Sequence, residues 1–329
     1  FSPSGYEHYN KREHQVDYAC YLPLDTNKNA KRFISHFKPK KVFFVKYEFW
    51  ANYIFQAKKH NAQLFSISSI FRKNQHFFKK RAVFFPSILK QFDYFFVQNK
   101  ESFQLLNSIG IDKCIVTGDT RFDRVIENKN KLNLNPKIEN FKNNQPTFVI
   151  GSSLFDDESL LIPLINSQKF DFKFIIAPHD ISENHIQQIT KKITIPFIRY
   201  TAINEDKKSI SPNSNVLILD SIGQLANAYF YGDIAYIGGG FSGSLHNILE
   251  PAVFGLPVIF GPKHNRFPEA SFFIENNIAK SVSDINELYH AVLEFSNKYK
   301  ELKLEIIDLI DKQKGAAIKI QKFVTSESF

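Results

Sequence analysis

The sequence predicts an α/β protein built from two doubly wound parallel sheets, and three observations carry that prediction. The chain has 329 residues, more than one hydrophobic core usually holds, so two domains are expected. Short apolar runs alternate with longer amphipathic stretches, the rhythm of βαβ units. That rhythm stops once, in a polar stretch, and then restarts.

In the first half, "KKVFFVKYEF" (40–49), "QLFSISS" (63–69), "YFFVQ" (94–98) and "CIVTG" (114–118) read as buried strands separated by helices. "IENKNKLNLNPKIENFKNNQP" (126–146) then loses its apolar period and carries prolines among Lys and Asn, so it reads as a linker. The strands resume with "TFVIGSS" (147–153), "FKFIIAPH" (172–179), "PFIRY" (196–200), "NVLILD" (215–220), "IAYIGGG" (234–240) and "PVIFGP" (257–262). Residues 288–324 read as helical throughout. The expected division is a domain over 1–130, a linker at 131–145, a second domain over 146–305 and a closing helix at 306–329. Such a pair of domains is similar to the sandwich of the GT-B glycosyltransferases, whose active site is the interdomain cleft. Periodicity alone does not separate it from other two-domain α/β proteins.

Composition narrows the function classes. A hydrophobic content of 43% and a charged content of 23% are those of a globular chain, not a disordered one. The formal charge of +9 fits an anionic substrate, an anionic membrane or nucleic acid, but Lys-, Asn-, Ile- and Phe-rich composition also follows from an AT-biased genome. The two cysteines, Cys20 and Cys114, stand outside any CxxC or Cys/His cluster, which argues against a disulfide scaffold or structural zinc. No apolar run reaches the roughly 20 residues of a membrane span. The chain starts at Phe1 with "FSPSGYE", in the manner of a strand end running into a turn, and holds no Met, so a missing N-terminal segment is expected.

Several motifs sit where strands end, which is where ligands gather in open α/β sheets. "GGGFSGSLHNILEPAVFGLPVIFGP" (238–262) joins a strand to a helix expected to begin near Leu245–Asn247. Its glycines would let the backbone approach a phosphate, its helix start would present N–H donors, and Glu250 would reach a ribose diol. A plain tight turn with a solvated Glu is the competing reading. "GSSLFDDE" (151–158) repeats the logic with Ser152 and Ser153, while Asp156 and Asp157 read as helix-start charges. His179 in "APHD" and Ser221, Gly223 and Gln224 in "DSIGQ" lie at further strand exits. The alternatives are a polar loop histidine and simple capping by Asp220 or Ser221.

In the first half, Glu48 leaves a strand beside Trp50 and Asn52, a setting for orienting sugar hydroxyls or for acid/base work. Otherwise it is a surface Glu beside a half-buried Trp. "SIFRKNQHFFKKRAVFFPSILKQF" (69–92) mixes Arg72, Lys73, Lys79, Lys80 and Arg81 with Phe77, Phe78, Phe84 and Phe85. It reads as a lipid-phosphate and membrane-interface segment, or as an amphipathic helix whose Phe face is core. Arg121 in "TGDTRFD" offers a fixed cation for an anionic substrate, unless Asp119 and Asp123 pair with it. No DxD motif stands out, so no essential metal is expected.

Taken in order, "FSPSGYE", "VKYEFWANY", "SIFRKNQ", "FFVQNKES", "VTGDTRFD", "GSSLFDDE", "LDSIGQLANAYFYGDIAYIGGGF" and "LHNILEPAVFGLPVIFGPKHNRF" resemble the 3-deoxy-D-manno-octulosonic acid (Kdo) transferases of lipopolysaccharide assembly, in a Bacteroidetes-like form. The resemblance implies a metal-independent GT-B enzyme without a cofactor. It would transfer Kdo with inversion from CMP-Kdo to the lipid A precursor (lipid IVA) at the cytoplasmic face of the bacterial inner membrane. Nucleic acid is not among the implied partners.

Donor contacts are then expected at Ser152, Ser153, His179, Ser221, Gly223, Gln224, Ser244, His246, Asn247 and Glu250. Glu48 and Arg121 are the catalytic candidates, and Arg72 matches the acceptor side. The family's catalytic Glu and its membrane anchor would precede Phe1, and Glu7 does not replace that base, so weak CMP binding and negligible turnover are expected of the chain as it stands. His179 follows Pro178 directly where the family commonly has Pro-Arg-His, a departure from the family's pattern. The rival readings are another GT-B enzyme using a UDP-sugar, such as a UDP-GlcNAc transferase or epimerase, and a non-catalytic nucleotide- or lipid-binding module.

Overall fold

A computed structural model describes residues 16–79, 84–203, 210–211 and 213–326. The chain divides into two compact units, Phe1–Thr120 with Gly315–Phe329, and Arg121–Lys314. The expected features at "FSPSGYE", Glu7, Lys80 and Arg81 lie outside the described residues.

In the first unit α1 (Asn27–Phe37), β1 (Lys41–Val45), α2 (Ala51–Lys59), β2 (Gln63–Ser69), α3 (Phe84–Leu89), β3 (Tyr94–Val97), α4 (Lys100–Asn107) and β4 (Cys114–Val116) alternate as the apolar rhythm requires. The four strands are parallel and lie in the order β1-β2-β3-β4. Helix starts carry side-chain caps: Thr26 accepts from the Asn29 N–H and Asn99 from the Ser102 N–H. Ile54, Leu64, Phe71 and Phe95 build the core.

The second unit carries α5 (Thr120–Asn130), α6 (Pro136–Lys142), β5 (Thr147–Ser153), α7 (Phe155–Asn166), β6 (Lys173–Pro178), α8 (Glu183–Lys192), β7 (Phe197–Arg199), β8 (Val216–Ile218), α9 (Leu225–Tyr231), β9 (Ile234–Ile237), α10 (Leu249–Ala252), β10 (Val258–Phe260), α11 (Pro268–Glu275), β11 (Ala279–Ser281) and α12 (Ile285–Asp311). Its seven parallel strands run in the order β11-β10-β9-β5-β6-β8-β7. β5 is buried along nearly its whole length because it has neighbours on both sides, β6 and β9. The chain leaves β5 toward β6 and returns on the other side at β9. That reversal is a topological switch point, and the crevice at its carboxyl end is where such sheets accept ligands.

Two expected boundaries are corrected. The stretch expected as a linker at 131–145 contains α6, capped by Asn135, whose side chain accepts from the Lys137 and Ile138 N–H groups. Ile138 and Phe141 are buried in the second unit's core, and two apolar residues three apart were too few to register as a period among Lys and Asn. The closing helix expected at 306–329 is two helices. Gly315 at φ +100° ends the run after α12, and α13 (Ala316–Ser326) begins there. α13 belongs to the first unit, where Ile320, Phe323 and Val324 pack on Phe65, Tyr94 and Phe96. β11, only three residues long, carried no legible pattern.

Candidate functional site

The residues around the switch point descend from the ends of β5 and β9. Gly238 donates its N–H to the Gly151 carbonyl at 2.9 Å, which ties the two strand ends together. A Cβ on Gly238 would stand 2.1 Å from the Ser152 carbonyl oxygen, and one on Gly239 would stand 2.3 Å from that of Ser244. Gly239 also has φ +87°, so no other residue fits there without strain. The sequence reading had these glycines admit a ligand. Instead they admit other backbone, and all three of the run are buried.

The polar side chains are presented beyond them. Ser242, Ser244 and Asn247 are exposed, and His246 and Glu250 are half-buried. The helix expected near Leu245–Asn247 is the single turn α10, starting at Leu249, because Pro251 and Gly255 leave no room for a longer one. Asn247 braces this turn, its Oδ1 accepting from the Leu249 N–H at 3.2 Å and its Nδ2 donating to Glu250 Oε1 at 3.0 Å. Burial pushes the Glu250 carboxyl above the usual range, opposed by the Asn247 bond and the nearby Arg124 charge.

β6 delivers His179 to the same place. Its N–H donates to the Ser153 carbonyl at 2.9 Å, and its ring lies 4.8 Å from that of His246. Burial holds the His246 imidazole below its ordinary value, helped by His179 and opposed by Asp157. Ser152 adopts φ +53° and is half-buried. Ser221 sits after β8 with its Oγ buried and, among the described residues, without a hydrogen-bond partner. Gly223 makes the following turn at φ +89°, with nothing within 4 Å of a built Cβ.

Three expected site residues are turned to other work. Ser153 is fully buried and donates its hydroxyl to Glu158 at 3.0 Å, so it faces the interior. Gln224 Oε1 accepts from Asn135 at 2.8 Å and from Tyr200 at 3.3 Å, which joins α9 to α6. Arg121 pairs with Glu269 of α11 through 2.7 and 3.0 Å bonds, in a setting where Glu269 is 6% exposed. Its charge is neutralised within the second unit, so it is not the open cation expected. Asp220 does not cap α9; it takes the Arg199 guanidinium at 2.7 Å.

In the first unit, Glu48 is exposed at the exit of β1, on the rim of an apolar hollow of about 320 Å³ lined by Leu22, Phe33, Val42, Trp50 and Tyr53. Asn52 is committed to Asp25, to which its backbone N–H donates at 3.1 Å, a partner that sequence reasoning missed. Arg72 is half-buried and donates its backbone N–H to Gln75. Phe77 and Phe78 pack on Phe71 in the core, whereas Phe84 and Phe85 are exposed. Among the described residues no helix is long and apolar enough to cross a membrane, and no group of three or more His, Cys, Asp or Glu could hold a metal ion.

Known proteins resemble this chain in both sequence and fold. The sequence model of the family described as 3-Deoxy-D-manno-octulosonic-acid transferase (kdotransferase) matches residues 1–124. A 3-deoxy-D-manno-octulosonic acid transferase of Rickettsia typhi is 27% identical over 87% of the chain, and one of Aquifex aeolicus is 26% identical over 93%. The chain is similar to the Kdo transferases over most of its length. It covers 62% of the length of the Rickettsia typhi Kdo transferase and 79% of that from Aquifex aeolicus.

Solved structures share the fold. The UDP-GlcNAc 2-epimerase from Neisseria meningitidis, bound to UDP-GlcNAc, aligns at a TM-score of 0.60 and 16% identity over 91% of this chain and 80% of that one. The UDP-N-acetylglucosamine 2-epimerase from Rickettsia bellii aligns at 0.55 and 13% over 99% and 87%. At such identities the likeness shows a GT-B-like α/β architecture and nothing of the chemistry.

Proposed function

We propose that this chain is a Kdo transferase, which binds CMP-Kdo at the switch point of its second unit and serves transfer of Kdo to a lipid A precursor, with inversion and without a metal. The observation that carries the donor reading is the convergence of Ser152, His179, Ser221, His246, Asn247 and Glu250 on the carboxyl ends of β5, β6, β8 and β9. Hydroxyls and imidazole N–H groups there can hold a phosphate, and Glu250 can accept from ribose hydroxyls. Gly223 and Ser244 contribute a turn and a hydroxyl at the rim, whereas Ser153 and Gln224 support the site from within.

An inverting transfer needs a base for the acceptor hydroxyl and donors that stabilise the departing phosphate. The second requirement falls on His179 and His246, whose ring N–H groups donate. Glu48, beside the apolar hollow, is the acceptor-side group we assign to sugar hydroxyls. Arg121 acts by fixing α5 to α11. On this reading the reaction would take place at the cytoplasmic face of the inner membrane, and the exposure of Phe84 and Phe85 supports a contact with lipid.

The test is calorimetric titration of CMP-Kdo into the protein, with UDP-GlcNAc as the competing donor. Saturable CMP-Kdo binding that UDP-GlcNAc does not displace supports the reading. Saturable binding of UDP-GlcNAc in its place would transfer the site to a UDP-sugar enzyme.

A further inference from the structure

Asp157, in the first turn of α7, is fully buried, and its carboxylate faces two loops at once. Its Oδ2 accepts the Leu154 N–H, from the loop that follows β5, at 2.9 Å. The same oxygen accepts the Gly239 N–H, from the loop that follows β9, also at 2.9 Å. Its Oδ1 accepts the Tyr236 hydroxyl at 2.8 Å. One atom therefore sets the separation of the two backbone segments that flank the switch point. A buried carboxylate kept only as a helix-start charge would face solvent at the helix end, not a neighbouring loop.

What hangs from Gly239 is the polar part of the site. A Cβ on Gly239 would lie 3.2 Å from His246 Cδ2 and 2.3 Å from the Ser244 carbonyl, so the imidazole rests on this residue. His246 in turn donates its backbone N–H to the Gly238 carbonyl at 3.1 Å. A displacement of Gly239 is thus passed to Ser244 and His246 with no slack to absorb it.

We propose that Asp157 is a positioning residue, which latches the β9 loop to the β5 loop and thereby holds Ser244 and His246 at the spacing a nucleotide phosphate requires. This rests on the donor-site reading above. Asp157 touches no ligand; it acts through the loop it holds. Asn at this position can place its amide oxygen where Oδ2 stands and turn its NH₂ to the Tyr236 oxygen, so it preserves the latch while removing the charge. Ala removes the latch. Glu keeps the charge but displaces the acceptor by one methylene.

The experiment measures CMP affinity and the hydrogen-exchange rate of the Gly239 amide in wild type, Asp157→Asn, Asp157→Ala and Asp157→Glu, at a temperature where each is folded by circular dichroism. Misplacement of about 1 Å costs up to two orders of magnitude at a reacting centre. We therefore expect CMP binding to weaken by roughly ten-fold or more in Asp157→Ala and Asp157→Glu, with faster Gly239 exchange, and to stay within about three-fold in Asp157→Asn. Should Asp157→Ala fail to fold, Asp157→Glu against Asp157→Asn decides. Affinity within three-fold in a folded Asp157→Glu or Asp157→Ala overturns the proposal, and so does an Asp157→Asn as weak as Ala. If wild type does not bind CMP, the donor reading fails, and the latch is then judged by Gly239 exchange alone: unchanged exchange in Asp157→Glu and any folded Asp157→Ala overturns it.

Discussion

Gly238→Ala is the perturbation whose consequence follows most closely from coordinates. The new Cβ would stand 2.1 Å from the Ser152 carbonyl oxygen, and its next neighbours, at 2.8 Å, are also backbone. Carbon and carbonyl oxygen pack at roughly 3.3 Å or more, so β9 and the β5 exit must separate by at least about 1.2 Å. Backbone cannot rotate aside as a flexible side chain would. Overpacking of this kind costs about 1–3 kcal/mol, and at this size each kcal/mol lowers Tm by about 2–4 °C. The expected outcome is a folded protein melting about 2–12 °C lower, with CMP affinity reduced roughly ten-fold or more because Ser152 and the β9 loop are pushed apart. Thermal denaturation and calorimetry measure the two effects. Gly110→Ala is the control, since Gly110 has φ +77° but nothing within 4 Å. It should lose about 1–2 kcal/mol of stability to backbone strain and leave CMP binding unchanged. A Gly238→Ala protein within 2 °C of wild type and binding CMP normally would refute the close approach of the two loops.

Three further outcomes follow from the charges. The Glu250 carboxyl is raised by burial, so its contribution is fully present below the ordinary value of 4.5 and is lost as pH rises through the folded value; Glu250→Gln should flatten that slope in denaturation curves recorded between about pH 4 and 8. His246 is depressed below 6.5 by burial and then by His179, so its contribution is present above 6.5 and lost as pH falls through the folded value. NMR titration of the ring should find its midpoint below 6.5 and moving up in His179→Ala; no movement would separate the two rings electrostatically. Arg121→Met leaves the buried Glu269 without its guanidinium and should cost about 3 kcal/mol in urea denaturation, most of it recovered in Arg121→Met/Glu269→Met.

The strands were legible because each is a contiguous apolar run, and the ends of those runs marked the strand exits from which the candidate residues project. The interior of the site was not. The sequence placed Ser153, Gln224 and Arg121 at strand and helix ends, but direction is decided by partners distant in the chain: Glu158, Asn135 with Tyr200, and Glu269. Asp157 read as a helix-start charge, which its bond to the Leu154 N–H bears out; its bond to Gly239, 82 residues away, has no local signature. The glycine run was singled out to admit a ligand, and in the fold Gly238 and Gly239 pack against the Ser152 and Ser244 carbonyls. Close approach of backbone to backbone and close approach of backbone to ligand ask for the same residue, and only the fold tells them apart. α6 escaped notice because its buried face is Ile138 and Phe141 alone.

The measurement that reaches the account's centre is a calorimetric titration of CMP and of UDP into wild type and Glu250→Ala. Saturable CMP binding that exceeds UDP binding and weakens in Glu250→Ala is the predicted result. Equal affinity for CMP and UDP, or CMP binding indifferent to Glu250, would contradict a cytidylate site at the β5–β9 switch point.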